Sequence, residues 1–418
     1  MNHPRGLFIL FFTEMWERFS YYGMRALLTL YLTKQLLYSD KLAGSIYGAY
    51  TGLVYLTPIL GGYLADKYLG YKRAIYIGGI LMMFGHASLA IYDIRFFYLG
   101  LLLLILGNGF FKPNISTMLG QLYENHPEKK DSGFTIFYMG INLGAFLGSI
   151  ACGYLGEVYG WHYGFGLAGI GMLIGLINFA FGKKEFSNII IIKDTNIYTK
   201  DILSVEEKSK ISIIVILSLF TMFFWLAFEQ AGSSMNLFTD RYVDRNLFGF
   251  NIPASAFQSV NPLLILILAP IFAMIWNYMG KKNIEPSTPI KFIFGFIFIG
   301  IGFLALVLGS FNVMIEVSAN VSMAWIIIAY LFHTIGELFL SPVGLSMVSK
   351  MAPVRYAALL MGLWFLSNAF AHYAAGALAG FMSSFKELWQ FFSIFVITSS
   401  VAAISLYLIK NKLEPHMK

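Results

Sequence analysis

Charged residues are scarce in this sequence, and their scarcity excludes most soluble classes of protein. Only 12% of the 418 residues are charged, whereas 58% are hydrophobic; ordinary globular domains hold about a quarter charged residues. A soluble chain of this composition could not cover its surface with polar groups, so lipid is the expected solvent. The single cysteine, Cys152, excludes an internal disulfide framework and argues against redox chemistry.

The placement of the charges excludes two further interpretations. The formal net charge of +7 does not indicate a nucleic-acid partner, because the basic residues form short clusters between apolar runs rather than one basic face. The apolar stretch after Arg5 is interrupted by Glu14, Glu17 and Arg18, and no small-residue cleavage site follows it. We therefore expect a retained first helix rather than a signal peptide.

Apolar runs of about twenty residues, the length that spans a bilayer, recur twelve times. They fall at residues 7–33, 42–66, 73–92, 96–121, 133–156, 163–182, 212–237, 255–279, 289–311, 322–349, 357–381 and 387–409. The longest polar stretch lies between the sixth and seventh runs. We predict an N-terminal six-helix bundle over 1–182, a cytoplasmic linker over 183–210 and a C-terminal six-helix bundle over 211–418.

Most of the 29 Lys and Arg residues fall on one side if both termini are cytoplasmic, as the positive-inside rule requires. The sequence thus predicts a multi-pass protein of the bacterial inner membrane. Its fold class is an all-α membrane protein, and six plus six helices resemble the major facilitator superfamily, whose halves rock around a midplane site.

Helix one carries an unusual polar stripe through its apolar run. Near the bilayer centre a charge costs about 2.5–3.5 kcal/mol on insertion scales, so the stripe must face a wet cavity or charged partners. The alternative, solvation of a helix start among headgroups, could account for Glu14 alone. The residues that share one helical face are Glu14, Glu17, Arg18, Tyr21, Tyr22 and Arg25.

Three more charges interrupt apolar runs: Lys112 in helix four, Glu229 in helix seven and Glu337 in helix ten. The N-terminal half therefore supplies the cations and the C-terminal half supplies acids, which suits a zwitterion such as a short peptide. Structural salt bridges across the halves are the alternative, and both can hold. Because the buried carboxylates outnumber the buried cations by one, the surplus carboxylate is expected to hold a proton.

Prolines are expected to bend or break three helices; the alternative is that proline is simply common in membrane helices. Pro113 follows Lys112 in helix four, Pro342 lies one turn after Glu337 in helix ten, and Pro262 lies in helix eight. Interrupted helices often mark transporter binding sites.

Several of these stretches resemble signatures of the proton-dependent oligopeptide transporter family. The first helix matches the family's ExxERFxYYG motif, and Gly61–Gly70 followed by Lys72 and Arg73 resembles the superfamily's loop between helices two and three. The other stretches that resemble family motifs are Phe110–Asn114, Phe137–Asn142, Trp225–Gln230 and Gly336–Pro342.

The resemblance implies roles for individual residues. Proton coupling would involve Glu14, Glu17, Arg18, Lys112 and Glu229. Arg18, Lys112 and Asn142 would hold the peptide carboxylate, and Glu337 with Asn261 would hold the amino terminus. Two salt bridges would act as gates, Arg25 with Glu229 and Lys112 with Glu337. The residues that would line side-chain pockets are Tyr21, Tyr22, Tyr55, Trp225 and Trp364.

The resemblance implies import of di- and tripeptides driven by the proton gradient, without a cofactor. Many bacterial members carry two extra helices between the halves, for which the linker here is too short. Transport of another small zwitterion, a peptide-like drug or nitrate is the alternative, although nitrate offers no ammonium to Glu337. A membrane enzyme or a receptor is a different class. The sequence offers no metal cluster, no phosphate-binding loop and no sizeable soluble domain, and we expect no obligate protein partner.

Overall fold

The computed structural model describes residues 3–124, 126–186, 204–311, 313–314, 321–353 and 356–417. Long helices account for most of these residues, as the apolar runs predict. The helices of the first half are α1 (Arg5–Leu30), α2 (Asp40–Leu64), α3 (Tyr71–Leu89), α4 (Ile94–Leu122), α5 (Lys130–Tyr154) and α6 (Trp161–Phe181). Wide π-helical turns extend α1, α2 and α5 at their C-terminal ends.

The second half of the sequence repeats this pattern with one interruption and small additions of strand. Its helices are α7 (Val205–Phe228), α8 (Ser234–Tyr242), α9 (Val260–Lys281), α10 (Thr288–Gly309), α11 (Met323–Met351), α12 (Ala357–Ala379) and α13 (Leu388–Leu413). The two-residue strands are β1 (Val243–Asp244), paired in parallel with β4 (Val321–Ser322), and β2 (Asn246–Leu247), paired antiparallel with β3 (Phe250–Asn251).

Each predicted apolar run overlaps a helix of the structure, and the ends differ by a few residues. Eight helical segments of the described chain are long and apolar enough to cross a membrane: those that contain α4, α5, α6, α7, α9, α10, α11 and α13. Helix α1 matches a predicted span but is not among these eight segments, because its charged residues lower its mean hydropathy.

Helix α7 begins within the C-terminal end of the predicted linker 183–210. Residues 205–210 form the first turns of α7, because Ser204 and Glu207 make a capping box: each side chain accepts a hydrogen bond from the other residue's backbone N–H. Gly182–Phe186 form a 3₁₀ turn. The middle of the predicted linker, 187–203, lies outside the described residues.

The predicted breaks at Pro113 and Pro342 are wrong, because α4 and α11 continue through these prolines. A bend at either proline stays a prediction. Pro262 lies in the first turn of α9, where no amide donor is needed. Pro113 cannot donate to the carbonyl of Gly109, and that oxygen occupies the place where a Cβ of Gly61 would lie. Gly61 therefore packs against the carbonyl of Gly109, which has no helical N–H partner because residue 113 is proline.

The break occurs instead where no proline stands. α7 ends at a 3₁₀ turn over Glu229–Gly232 before α8 begins. The side chain of Gln230 spans the break, donating to the carbonyls of Leu226 and Ala375 and accepting from the hydroxyl of Ser234. A buried acidic residue thus stands where an expected single helix is divided.

The described residues divide into two compact units. The first unit contains those within Met1–Leu37, Leu53–Thr195 and Ile252–Leu263. In it α1 packs against α5 and α6, and α3 packs against α4 and α6. Glycines allow the close approach of α1 and α5, since a Cβ at Gly144 or Gly148 would meet the backbone of α1.

The second unit contains the described residues of Tyr38–Gly52, Asn196–Asn251 and Leu264–Lys418. In it α7 packs against α12, and α10 packs against α11 and α13. Two glycines at the start of α2, Gly44 and Gly48, face Gly376 of α12. Each unit thus includes one segment from the opposite half of the sequence. The division into six-helix bundles over 1–182 and 211–418 stays a prediction.

Candidate functional site

The polar stripe on α1 is buried in the first unit. Glu14, Glu17, Arg18 and Arg25 are at most 6% exposed. Nε of Arg18 lies 2.8 Å from Oε1 of Glu14 and 2.6 Å from Oε2 of Glu17. One guanidinium therefore serves two carboxylates, as the expectation of charged partners requires.

Residues of α4 complete this group, which we call the first cluster: Glu14, Glu17, Arg18, Asn108 and Lys112. Nδ2 of Asn108 donates to Oε1 of Glu17 at 3.3 Å, and the charge of Lys112 also acts on Glu17. Sequence reasoning missed Asn108. Its position four residues before Lys112, on the same face of α4, was the available signal.

Aromatic rings lie against the cations of the first unit. Nζ of Lys112 is 4.0 Å from the ring centroid of Tyr55. The guanidinium of Arg18 is 5.7 Å from the Tyr21 ring, and that of Arg25 is 5.4 Å from the Tyr22 ring. Cation–π contacts of this kind stabilise charges away from water. The structure thus brings three of the predicted pocket aromatics into contact with predicted functional cations.

Two predicted asparagines also belong to the first unit. Asn142 of α5 is buried, and its Nδ2 donates to the carbonyl of Tyr138 one turn earlier. Asn261 lies in the first turn of α9, in the segment 252–263 that packs within this unit. Glu157, in the π-helical turn that extends α5, holds that segment by accepting hydrogen bonds from the backbone N–H groups of Ala254 and Ser255.

In the second unit Glu229 is 2% exposed and stands at the break after α7. The hydroxyl of Tyr47 donates to Oε2 of Glu229 at 3.4 Å. Nδ1 of His372 lies 3.2 Å from the same oxygen, and the His372 ring stacks against Trp225 with centroids 6.4 Å apart. We call Tyr47, Glu229 and His372 the second cluster.

Sequence reasoning missed the contacts of Tyr47 and His372 with Glu229. No spacing rule connects these residues with Glu229, because they lie on α2 and α12.

The other predicted residues of the second unit are Glu337 and Trp364. Glu337 of α11 is 8% exposed and Trp364 of α12 is 2% exposed. The Trp364 ring packs on Gly344 of α11 and lies 6.5 Å from the Phe292 ring. Trp364 therefore packs within the helices of its unit, and a role in a substrate pocket stays a prediction.

The predicted ionisable residues of the two units differ in net sign. Within the described residues no group of three or more His, Cys, Asp or Glu side chains could hold a metal ion. In the first unit the cations are in excess, since the buried Arg18 and Arg25 and the half-buried Lys112 outnumber the buried Glu14 and Glu17. The second unit holds the acids Glu229 and Glu337. The two bridges predicted between the halves, Arg25 with Glu229 and Lys112 with Glu337, stay predictions.

Comparison with known families gives one match that covers most of the chain. A profile described as the POT family matches residues 72–203 and 187–397. The sequence is 38% identical to the uncharacterized transporter YclF of Bacillus subtilis (strain 168), over 97% of this chain and 94% of the relative. It is 32% identical to the di-/tripeptide transporter of Lactococcus lactis subsp. lactis (strain IL1403), over 98% of this chain and 96% of the relative.

A further relative is the peptide transporter YePEPT of Yersinia enterocolitica subsp. palearctica serotype O:3 (strain YE-P4), with 34% identity over 91% of this chain and 88% of the relative. Among solved structures, a variant of peptide transporter POT in complex with alafosfalin superimposes with a TM-score of 0.90 and 32% identity, covering 100% of this chain and 96% of that chain. A POT family transporter in complex with 5-aminolevulinic acid gives a TM-score of 0.89 and 30% identity, covering 100% and 98%.

Proposed function

We infer the function of this chain from the fact that it belongs to the POT family, as the profile match and its peptide-transporter relatives show. It is a multi-pass membrane protein that transports peptides and is not an enzyme. We propose further that it imports di- and tripeptides together with protons by alternating access, using the proton gradient and no cofactor.

The observation that carries this proposal is the opposite sign of the excess charge among the predicted site residues of the two units. The buried Arg18 and Arg25 and the half-buried Lys112 outnumber Glu14 and Glu17 in the first unit. In the second unit Glu229 and Glu337 are buried acids, and the buried cation Lys291 is already paired with Glu285. A buried excess charge is stable only with a partner of opposite sign. The peptide carboxylate would bind Arg18 and Lys112, and the peptide ammonium would bind Glu337.

Proton coupling follows from competition within the first cluster. Glu14 and Glu17 already share Arg18, so an incoming peptide carboxylate has to compete with them for the same guanidinium. A buried carboxylate that loses its cation is more stable with a proton bound. Binding of the peptide would therefore favour proton uptake at Glu14 or Glu17, with Glu229 completing the pathway in the second unit. The pairs Arg25 with Glu229 and Lys112 with Glu337 would act as gates.

The proposed architecture is a major facilitator fold of twelve spanning helices with both termini in the cytoplasm of a bacterium. Recurrence of the packing pattern supports this proposal. α1 packs on α5 as α7 packs on α12, and α3 packs on α4 and α6 as α10 packs on α11 and α13. If α7 and α8 form one span, these pairs correspond after a shift of six spans. The clustering of Lys and Arg supports the orientation and the inner-membrane location.

A broader zwitterion specificity is the second candidate. A transporter that resembles this chain closely is solved with 5-aminolevulinic acid, which carries an ammonium and a carboxylate without being a peptide. A site that binds one carboxylate and one ammonium by charge alone would accept such a molecule. Nitrate has no cation for Glu337 and is disfavoured on this basis.

The test is dialanine uptake by the purified protein in proteoliposomes with an imposed inward proton gradient. We expect dialanine to accumulate above its external concentration and this accumulation to vanish when a protonophore is added. Counterflow of labelled dialanine without a gradient is the control for transport itself. Accumulation that is indifferent to the protonophore would contradict proton coupling, and absence of counterflow would contradict peptide transport. Competition by 5-aminolevulinic acid in counterflow would support the broader specificity.

A further inference from the structure

A basic cavity lies in the first unit, and its lining shares no residue with either cluster. It has a volume of about 510 Å³, within the range of about 300–1,000 Å³ that is typical of ligand pockets. Its wall contains three cations, Lys72, Arg73 and Lys183, and no carboxylate. The remaining lining residues are Tyr68, Leu69, Gly70, Tyr71, Tyr76, Phe179 and Phe186.

The cavity is built by a turn and an aromatic floor. Gly70 connects the end of α2 to α3 with φ of 77°, a conformation that favours glycine, and this turn places Lys72 and Arg73 at the start of α3. The Phe179 ring contacts Tyr76 at 5.0 Å and Phe186 at 5.6 Å between centroids. Phe179 and Phe186 are buried, so the floor is part of the packed unit.

The cations at this cavity repel one another. Partial burial and the nearby charge of Lys183 together lower the pKa of Lys72. Neither of the two lysines is among the salt bridges of the described residues, whereas Lys210 and Lys291 pair with Glu206 and Glu285. An anion bound between Lys72 and Lys183 would remove this repulsion.

Exposed apolar side chains continue from the cavity along the helices that form it. Ile77, Ile80 and Phe84 of α3 and Ile177 and Phe181 of α6 are between 36% and 87% exposed. The cavity lies where the predicted spans of these two helices meet the membrane surface. A ligand with a charged head and hydrocarbon chains fits both parts, whereas a free anion would contact the cations alone.

We propose that this cavity binds the phosphate headgroup of an anionic phospholipid, with the acyl chains lying along α3 and α6. Basic pockets at the ends of membrane helices bind such headgroups through charge and hydrogen bonds. Phosphate would contact Lys72, Arg73 and Lys183, and the tyrosines at the rim would lie at headgroup level.

The experiment measures lipid binding by native mass spectrometry and thermal stability of the purified full chain, with phosphatidylglycerol, phosphatidylcholine or inorganic phosphate added. Wild type should retain phosphatidylglycerol and gain thermal stability from it, but not from phosphatidylcholine. The double variant Lys72→Gln/Lys183→Gln should bind phosphatidylglycerol about 30-fold more weakly, because each lysine near an anionic surface contributes about fivefold.

Two control variants keep the test independent of folding. Lys281→Gln/Lys282→Gln removes two exposed cations from the other unit and should bind as wild type does. Lys72→Arg/Lys183→Arg keeps the charge and should retain most of the binding, even if the Gln variant folds poorly. Equal loss in the Lys281/Lys282 variant would overturn the proposal. Stabilisation by inorganic phosphate that equals the effect of phosphatidylglycerol would also overturn it, since the site would then bind a free anion.

Discussion

The two buried clusters are built in different ways. In the first cluster the ion pairs are local: Glu14, Glu17 and Arg18 lie within two turns of α1, and α4 supplies Asn108 and Lys112. In the second cluster Glu229 has neighbours from α2 and α12, and Tyr47 is separated from it by 182 residues. The first cluster is therefore fixed largely by one helix, whereas the second exists only when distant helices pack together.

Because of this difference, we expect the first cluster to respond to ligands and the second cluster to respond to movement of helices. Two carboxylates that share one guanidinium respond directly to any ligand that competes for it, which suits the coupling of a proton to a substrate. Glu229 stands at a helix break and depends on packing, which suits a response to movement of helices. The following predictions test this division, beginning with the largest expected effect.

Glu17→Gln should abolish accumulation of dialanine driven by a proton gradient, because the amide cannot carry the proton. Counterflow should persist, since Gln keeps the shape of the side chain and Arg18 remains available to the peptide. Uptake and counterflow in proteoliposomes provide the two measurements. Normal accumulation by this variant would show that Glu17 does not carry the coupled proton.

The assignment of the peptide termini can be tested with matched ligands. Lys112→Gln should weaken dialanine binding about 10- to 100-fold, because a hydrogen bond to a charged group contributes about 1.5–3 kcal/mol, while dialanine amide, which lacks the carboxylate, should bind both forms alike. Glu337→Gln should show the same pattern with N-acetyl-dialanine, which lacks the ammonium. Calorimetric titration gives the affinities. If each variant loses all ligands equally, Lys112 and Glu337 do not read separate termini.

The position of the first cluster depends on the close packing of α1 and α5. Gly144→Ala should lower the thermal unfolding temperature by several degrees, since its Cβ would overlap the carbonyl of Met15 and overpacking costs about 1–3 kcal/mol. Gly362→Ala is the matched control, because no atom lies within 4 Å of its added Cβ. Equal unfolding temperatures for the two variants would mean that α1 can shift without cost.

The smallest effect is expected in the second cluster. Tyr47→Phe removes one hydrogen bond to Glu229, a loss of about 0.5–1.5 kcal/mol, and should slow counterflow about two- to tenfold. Tyr373→Phe, at an exposed tyrosine of the same unit, should have no effect. If Tyr47→Phe abolished transport completely, the second cluster would be as sensitive as the first. The distinction between the two clusters would then be lost.

Agreement between sequence and structure is closest where the relevant interactions are local. The apolar runs predicted the helices because length and hydropathy are properties of a continuous segment. The stripe on α1 was predicted because residues three and four apart share a helical face. By contrast, the break at Glu229 could not be read from prolines: Pro113 and Pro342 lie inside continuous helices, while Gln230 bridges a break through contacts with α12.

The sequence by itself determined that this chain is helical and apolar, which helices carry ionisable groups, and that Arg18 has acidic neighbours on its own helix. Only the tertiary structure decided that Tyr47 and His372 contact Glu229, that Asn108 contacts Glu17, and that segments 38–52 and 252–263 pack in units dominated by the opposite half. Helical periodicity relates residues within a few turns, whereas contacts between helices depend on how side chains of many segments fit together.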